Sequence, residues 1–280
     1  MKLFRCALPI ICASAAVCQA PNNELNTLLM HSTFKIWGPL VNDAKKINFG
    51  TIFLIGIPIK GDDQHASAVL VTAGHVLDEI GGETATLLLR RTGKDGTYTP
   101  FTYEFKIRDK GAPLYIKHST ADVAVMYINL PDEKLPITVL PPSFLADDAR
   151  IDYLELHPGD EILCLGFPLF ANGTGGFPFL RGGRLASYPL TPMKTIKAWT
   201  FDAQIFPGNS GGPVYFHFEN RQFGGATHIG SEQGLLGLVI QEIDSGIPDF
   251  KDKPLNYGVI VPSQFIKETL DKLPPESPYK

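Results

Sequence analysis

Ser210 is the side chain best placed in this sequence to attack a carbonyl. It lies in Phe206-Pro207-Gly208-Asn209-Ser210-Gly211-Gly212-Pro213-Val214, with glycines close on both sides. Their missing side chains let the backbone approach a bound carbonyl. A serine hydroxyl is a weak nucleophile near neutral pH and needs a base. One is available in Val69-Leu70-Val71-Thr72-Ala73-Gly74-His75-Val76, where an apolar run ends on a histidine. A third segment, Thr120-Ala121-Asp122-Val123-Ala124-Val125, sets an aspartate ahead of another apolar run. Together they suit acyl transfer: His75 takes the serine proton and hands it to the leaving group. Asp122 would hold the imidazole tautomer and stabilise the imidazolium. The backbone N–H groups of Gly208 and Ser210 are the expected donors to the developing oxyanion. A glycine-rich serine turn alone is more often a hairpin, but Gly-Asn-Ser-Gly-Gly-Pro in a row arises by chance in only about 10⁻⁵ of chains this long.

These side chains need strands to hold them. Val69-Leu70-Val71 reads as a buried strand, and Ala73-Gly74 turns the chain before His75. Val123, Val125, Tyr127 and Leu130 form a second strand pattern closed by Pro131. Ser210 falls between Ile205-Phe206 and Val214-Tyr215-Phe216, in a turn joining two strands. Leu87-Leu88-Leu89 and the alternating Phe101, Tyr103, Phe105 and Ile107 flank Gly93-Lys94-Asp95-Gly96, a hairpin signal. Residues 21–47 are mixed, and Phe34, Ile36 and Trp37 suggest packing over the first strand group. Pro131, Pro136, Pro141 and Pro142 mark a linker at 131–150. Residues 171–178, Ala-Asn-Gly-Thr-Gly-Gly-Phe-Pro, are expected to form a mobile surface loop near a cleft; they lack the lysine and helix start of a phosphate cradle.

The three motifs resemble those of chymotrypsin-fold serine peptidases, specifically the bacterial trypsin-like peptidases related to the HtrA (Deg) group. Gly50-Thr51, Gly159-Asp160-Glu161, Gly166-Phe167-Pro168 and Asn256–Ser263 also resemble family strands, so the similarity spans about residues 48–270. It implies an all-β fold of two six-stranded antiparallel β-barrels with the site between them. On that reading residues 1–20 are a signal peptide and 21–135 the N-terminal segment and first barrel, bearing His75 and Asp122. Residues 136–262 would be the second barrel, bearing Ser210, and 263–280 a short C-terminal helix, with Ser263 as its N-cap, and a tail. No Ile-Val-Gly-Gly-like stretch is present, and Asn209 replaces the aspartate that would pair with a newly cleaved amine; this implies a catalytic loop ordered without zymogen cleavage. After Val261-Pro262 a short helix and a Pro-rich tail are expected rather than a PDZ domain, so regulation through one is not expected. The resemblance sets the base of the primary pocket near Gln204 and Ile205, with Ile240 and Gln241 on one wall and Ile260 on another. No acid stands at position 204, which implies a small or medium apolar side chain before the scissile bond, although Glu242 near the mouth would attract a base.

Composition bounds the rest. The chain has 280 residues, 44% hydrophobic, with four cysteines. Folding at this size buries roughly three-quarters of the unfolded surface, so no disulfide is needed. Lys2 and Arg5, then Ala7 to Ala13, then small residues to Ala20 read as a secretory signal cleaved after Ala20 or near Ala15–Ala16. The apolar stretch is too short to span a bilayer. Cys6, Cys12 and Cys18 lie within residues 1–20, leaving Cys164 as a buried strand residue; this points to a bacterial exported protein, periplasmic or secreted. Without residues 1–20, 23 basic residues face 29 acidic ones, a net charge of −6. With no basic run, a nucleic-acid partner is disfavoured. Seven histidines without ligand spacing give no metal site, and no cofactor is expected. The expected activity is serine endopeptidase action on polypeptide substrates. An esterase-like hydrolase with the same triad and a chaperone-like binding module with an unformed oxyanion hole are the alternatives.

Overall fold

In a computed structural model, residues 24–131, 134–244 and 254–279 are described. The expected signal peptide lies outside them. The first half contains α1 (Leu25–Ser32), β1 (Thr33–Leu40), β2 (Asp43–Ile59), β3 (Asp62–Thr72), α2 (Gly74–Asp78), β4 (Thr84–Thr92), β5 (Tyr98–Lys106), β6 (Arg108–Asp109), β7 (Ala112–Pro113), β8 (Ile116–Lys117) and β9 (Ala124–Tyr127). The second contains α3 (Asp148–Tyr153), β10 (Glu161–Gly166), β11 (Phe179–Leu185), β12 (Trp199–Asp202), β13 (Pro213–Phe223), β14 (Ala226–Asp244), β15 (Pro254–Pro262) and α4 (Ser263–Leu270).

The fold is all-β and antiparallel. β10-β11-β12-β15-β14-β13 closes into a six-stranded barrel, as the resemblance implies. The first half is a seven-stranded antiparallel sheet in the order β5-β4-β1-β2-β3-β9-β8, with β6 and β7 paired separately. β1 lies between β2 and β4, within the sheet rather than over it. Alternation explains its place: Phe34 and Ile36 enter the core on one face, while Lys35 and Trp37 face the other way. The β4–β5 hairpin forms as the glycines predict, with Gly96 N–H donating to the Gly93 carbonyl and Thr92 opposite Tyr98.

Two cores follow from the two halves. Strands β2 and β3 bury Ile52, Phe53, Leu54, Ile55, Val69, Leu70 and Val71 in the first, and Trp199, Phe201, Val214, Phe216 and Val239 anchor the second. Burying one such side chain contributes about 1.5–3 kcal/mol. The stretch expected as a linker is itself packed. Leu135, Ile137 and Leu140 remain in the first core, Leu140 bridges Ile55, and Ala146 enters the second core. Helix α4 then returns across the molecule to bury Phe265, Ile266 and Leu270 in the first core. Ser263 does not cap that helix. Pro262 holds the cap position, and the Ser263 hydroxyl donates to the Ala146 carbonyl. Cys164 is buried on β10, where loss of water pushes its thiol up to about 12, too high for a nucleophile at neutral pH.

Candidate active site

The turn after β3 and the start of β9 bring His75 and Asp122 together. Ala73 is extended, so the chain leaves β3 and enters the short helix α2 with His75 in its first turn. Asp122 immediately precedes the buried Val123 and β9, and β9 pairs with β3 from Val69 opposite Tyr127 to Thr72 opposite Ala124. This register places Asp122 beside His75. Its Oδ2 lies 2.5 Å from His75 Nδ1, and its Oδ1 accepts the His75 backbone N–H at 3.0 Å. The carboxylate therefore keeps a proton on Nδ1 and leaves the Nε2 lone pair available. Burial, the largest influence on His75, disfavours its charged form. The hydrogen bond and charge of Asp122, with Glu79 and Asp78 behind them, outweigh it and raise the His75 pKa above the usual imidazole value. Burial likewise works against the Asp122 carboxylate, but the His75 ring and the N–H groups of His75 and Gly74 hold its pKa below the ordinary range.

Ser210 sits on a turn whose carbonyls are all occupied. Leu169 N–H donates to the Pro207 carbonyl at 2.7 Å, and Thr51 Oγ1 donates to the Gly208 carbonyl at 2.7 Å. Gly212 N–H donates to the Asn209 carbonyl at 2.9 Å, and Thr51 N–H to the Ser210 carbonyl at 2.9 Å. A trans peptide points its N–H opposite to its C=O. The Gly208 and Ser210 amides are thereby aimed away from Leu169 and Gly212, and neither has an acceptor among the described residues. Asn209 N–H closes the turn onto the Phe206 carbonyl at 3.0 Å, with Pro207 and Gly208 in its centre. Gly208 has φ of +99°, and a Cβ there would lie 2.3 Å from the Phe167 carbonyl oxygen. Only glycine fits. The Ser210 hydroxyl donates to the Ile240 carbonyl at 3.1 Å. That carbonyl is presented by a bulge, because the β14–β15 register slips between Val239 and Gln241.

A family model for the trypsin-like peptidase domain matches residues 48–222, more than half of the chain and a span containing His75, Asp122 and Ser210. The chain belongs to the trypsin-like peptidase domain family. No curated protein shows detectable similarity to it. Among solved structures, the Rv3671c protease from M. tuberculosis in its active form aligns at 18% identity and a TM-score of 0.47, over 100% of this chain and 97% of that one. The MamO protease domain from Magnetospirillum magneticum in its apo form aligns at 13% identity and a TM-score of 0.47, over 87% and 98%.

The residues expected around the primary pocket of this peptidase domain divide. Gln204 is exposed, and Ile240 is half-buried at the bulge facing Ser210. Ile205 and Ile260 are 2% and 0% exposed and belong to the second core, so Ile260 offers no open wall. The cause is the barrel's alternation, which turns Ile260 inward opposite Trp199. The side chains of Gln241 and Glu242 lie outside the described residues. Asn209 is buried, and its Oδ1 has no hydrogen-bond partner.

Two participants in this geometry escape sequence reasoning. Thr51 is one: its hydroxyl donates to Gly208, accepts Phe167 N–H at 3.2 Å, and its carbonyl accepts the Thr72 hydroxyl at 2.7 Å. Leu169 is the other, and nothing local in its sequence signals a role. A second serine–histidine–carboxylate array lies at Ser231, His217 and Glu24. His217 Nε2 is 2.8 Å from Ser231 Oγ, and Nδ1 is 3.3 Å from the carboxylate. Its tautomer is wrong for a base. The Asn26 amide accepts from Tyr215 through Oδ1, so its Nδ2 turns to Glu24 and to His217 Nδ1 at 2.9 Å. Nδ1 is then an acceptor, and Nε2 spends its proton on Ser231.

Among the described residues no helix is long and apolar enough to cross a membrane, and no three His, Cys, Asp or Glu side chains cluster as metal ligands.

Proposed function

We propose that this chain is an exported serine endopeptidase that cleaves peptide bonds through an acyl-enzyme on Ser210. The observation that carries the proposal is the two-point grip of Asp122 on His75, which leaves Nε2 basic. Ser210 Oγ leaves the Ile240 carbonyl, gives its proton to His75 Nε2 and bonds to the scissile carbonyl carbon. The displaced electron pair settles on the carbonyl oxygen, which the N–H groups of Gly208 and Ser210 receive. Their peptide planes are already pinned, so little reorganisation is needed as charge develops. Collapse breaks the C–N bond, and the amine leaves with the proton from His75. Water then repeats the sequence on the acyl-enzyme. The absence of an acid at Gln204 supports cleavage after small or medium apolar residues. Residues 1–20 support export to a periplasmic or extracellular space.

Labelling by a fluorophosphonate probe tests the chemistry. The wild-type chain should label and hydrolyse casein, and Ser210→Ala should do neither. Folded wild-type protein that is neither labelled nor active would overturn the reading. Edman sequencing of the exported protein should start near residue 16 or 21; an intact N-terminus would refute processing.

A further inference from the structure

Lys35 is a buried cation without an anion. It is 4% exposed, on the face of β1 turned away from the core formed by Phe34 and Ile36. Its Nζ donates to the Phe170 carbonyl at 2.9 Å and to Asn172 Oδ1 at 3.0 Å. The ammonium lies 4.1 Å from the Phe170 ring centre and 5.8 Å from those of Trp37 and Phe167. Among the described residues no carboxylate pairs with it. Burial of such a charge is unfavourable unless the surroundings bind it well. Here three ring faces and two oxygens do so.

The segment it binds is the one that pins the turn before Ser210. Leu169 and Phe170 have φ of +51° and +64°, a left-handed conformation that bulky side chains rarely adopt. This dipeptide is fastened at both ends. Leu169 N–H holds the Pro207 carbonyl, and the Phe170 carbonyl is held by Lys35. Farther along, Arg90 of β4 donates to the Gly176 carbonyl at 3.0 Å between the rings of Phe34 and Phe177. Two buried cations from the first half thus strap residues 169–177 of the second half across the molecule.

We infer that Lys35 is a positioning residue for the oxyanion donor Gly208, acting through Phe170, Leu169 and Pro207; this rests on the peptidase reading above. Without the ammonium, the dipeptide relaxes toward ordinary dihedrals and Leu169 N–H leaves the Pro207 carbonyl. The Pro207–Gly208 peptide is then free to rotate, and the Gly208 N–H no longer faces the reaction.

The test is Lys35→Met in the full chain, which removes the charge and keeps the bulk. On a peptide anilide that wild type cleaves, kcat should fall by about 10²–10³, the loss of one oxyanion donor. KM should stay within about threefold, because ground-state binding is untouched. Hydrogen exchange at the Leu169 amide should quicken at least about tenfold while β2 and β3 keep their protection. Asn172→Ala, on an exposed loop, should shift both readouts in the same direction by less, and it decides the matter if Lys35→Met does not fold. Wild-type kcat with wild-type exchange at Leu169, or a raised KM at unchanged kcat, would overturn the inference. If the wild-type chain itself is neither labelled by the fluorophosphonate nor active, the peptidase reading falls and Lys35's role with it. A labelled, active wild type beside an equally active Lys35→Met defeats only the inference.

Discussion

Asp122 grips His75 at two points, ring and backbone, through the two oxygens of one carboxylate. Asp122→Asn keeps the size but turns either an N–H or a lone oxygen toward Nδ1. If the amide nitrogen faces the ring, Nδ1 loses its proton and Nε2 gains it, so the base is lost. We expect kcat to fall by about 10⁴ with the fold intact. Steady-state kinetics on a peptide anilide check this. A loss under tenfold would remove Asp122 from the mechanism.

The acid limb of the rate profile follows from the raised His75 pKa. The proposed mechanism requires neutral His75, so kcat/KM should fall as pH drops through a value above about 6.5, the free imidazole figure. Stability runs the other way. A raised folded-state pKa contributes stability fully present below the unfolded value and lost as pH rises through the folded one. Asp122→Asn should move the acid limb down. Measured profiles of the two proteins decide it, and superimposable acid limbs would refute the assignment.

Thr51→Val is nearly isosteric and deletes only a hydroxyl. It strands the buried Gly208 carbonyl and Phe167 N–H together. Each unsatisfied group costs about 1–3 kcal/mol. Urea melts should therefore show a lower midpoint at unchanged slope, with a drop in kcat from the loosened turn. An unaltered midpoint would mean that another group satisfies the Gly208 carbonyl.

Asn209→Asp would place a carboxylate where Asn209 Oδ1 already lacks a donor. We expect a loss of about 3 kcal/mol at neutral pH, the cost of an uncompensated buried charge. The new carboxyl would have a raised folded-state pKa, so stability should recover as pH falls and it protonates. Denaturation at pH 7 and pH 4.5 tests this, and equal stability at both would show that a cation reaches position 209.

Much of the site is legible because its parts are local. Gly208, Asn209 and Ser210 form a contiguous turn, and His75 and Asp122 each sit at a strand end marked by an apolar run. The pocket walls are less so. The family resemblance makes Ile260 a wall, yet strand alternation, fixed only when β15 pairs with β12, turns it into the core. Residues 171–178 read as mobile from their glycines, but buried cations more than 80 positions away tie them down. β1, drawn from a stretch with no clean strand signal, takes its place between β2 and β4 only through pairing with both.

The sequence by itself determined the residue types proposed to react, the turn that only glycine can make at Gly208 and the strands around them. These depend on dihedral limits and short-range alternation, which are written residue by residue. Only the tertiary structure decided which nitrogen of His75 keeps the proton, which carbonyls pin the turn before Ser210, and why Lys35 is buried. Those depend on partners such as Thr51, Leu169 and Asp122, whose distance along the chain says nothing about their distance in space.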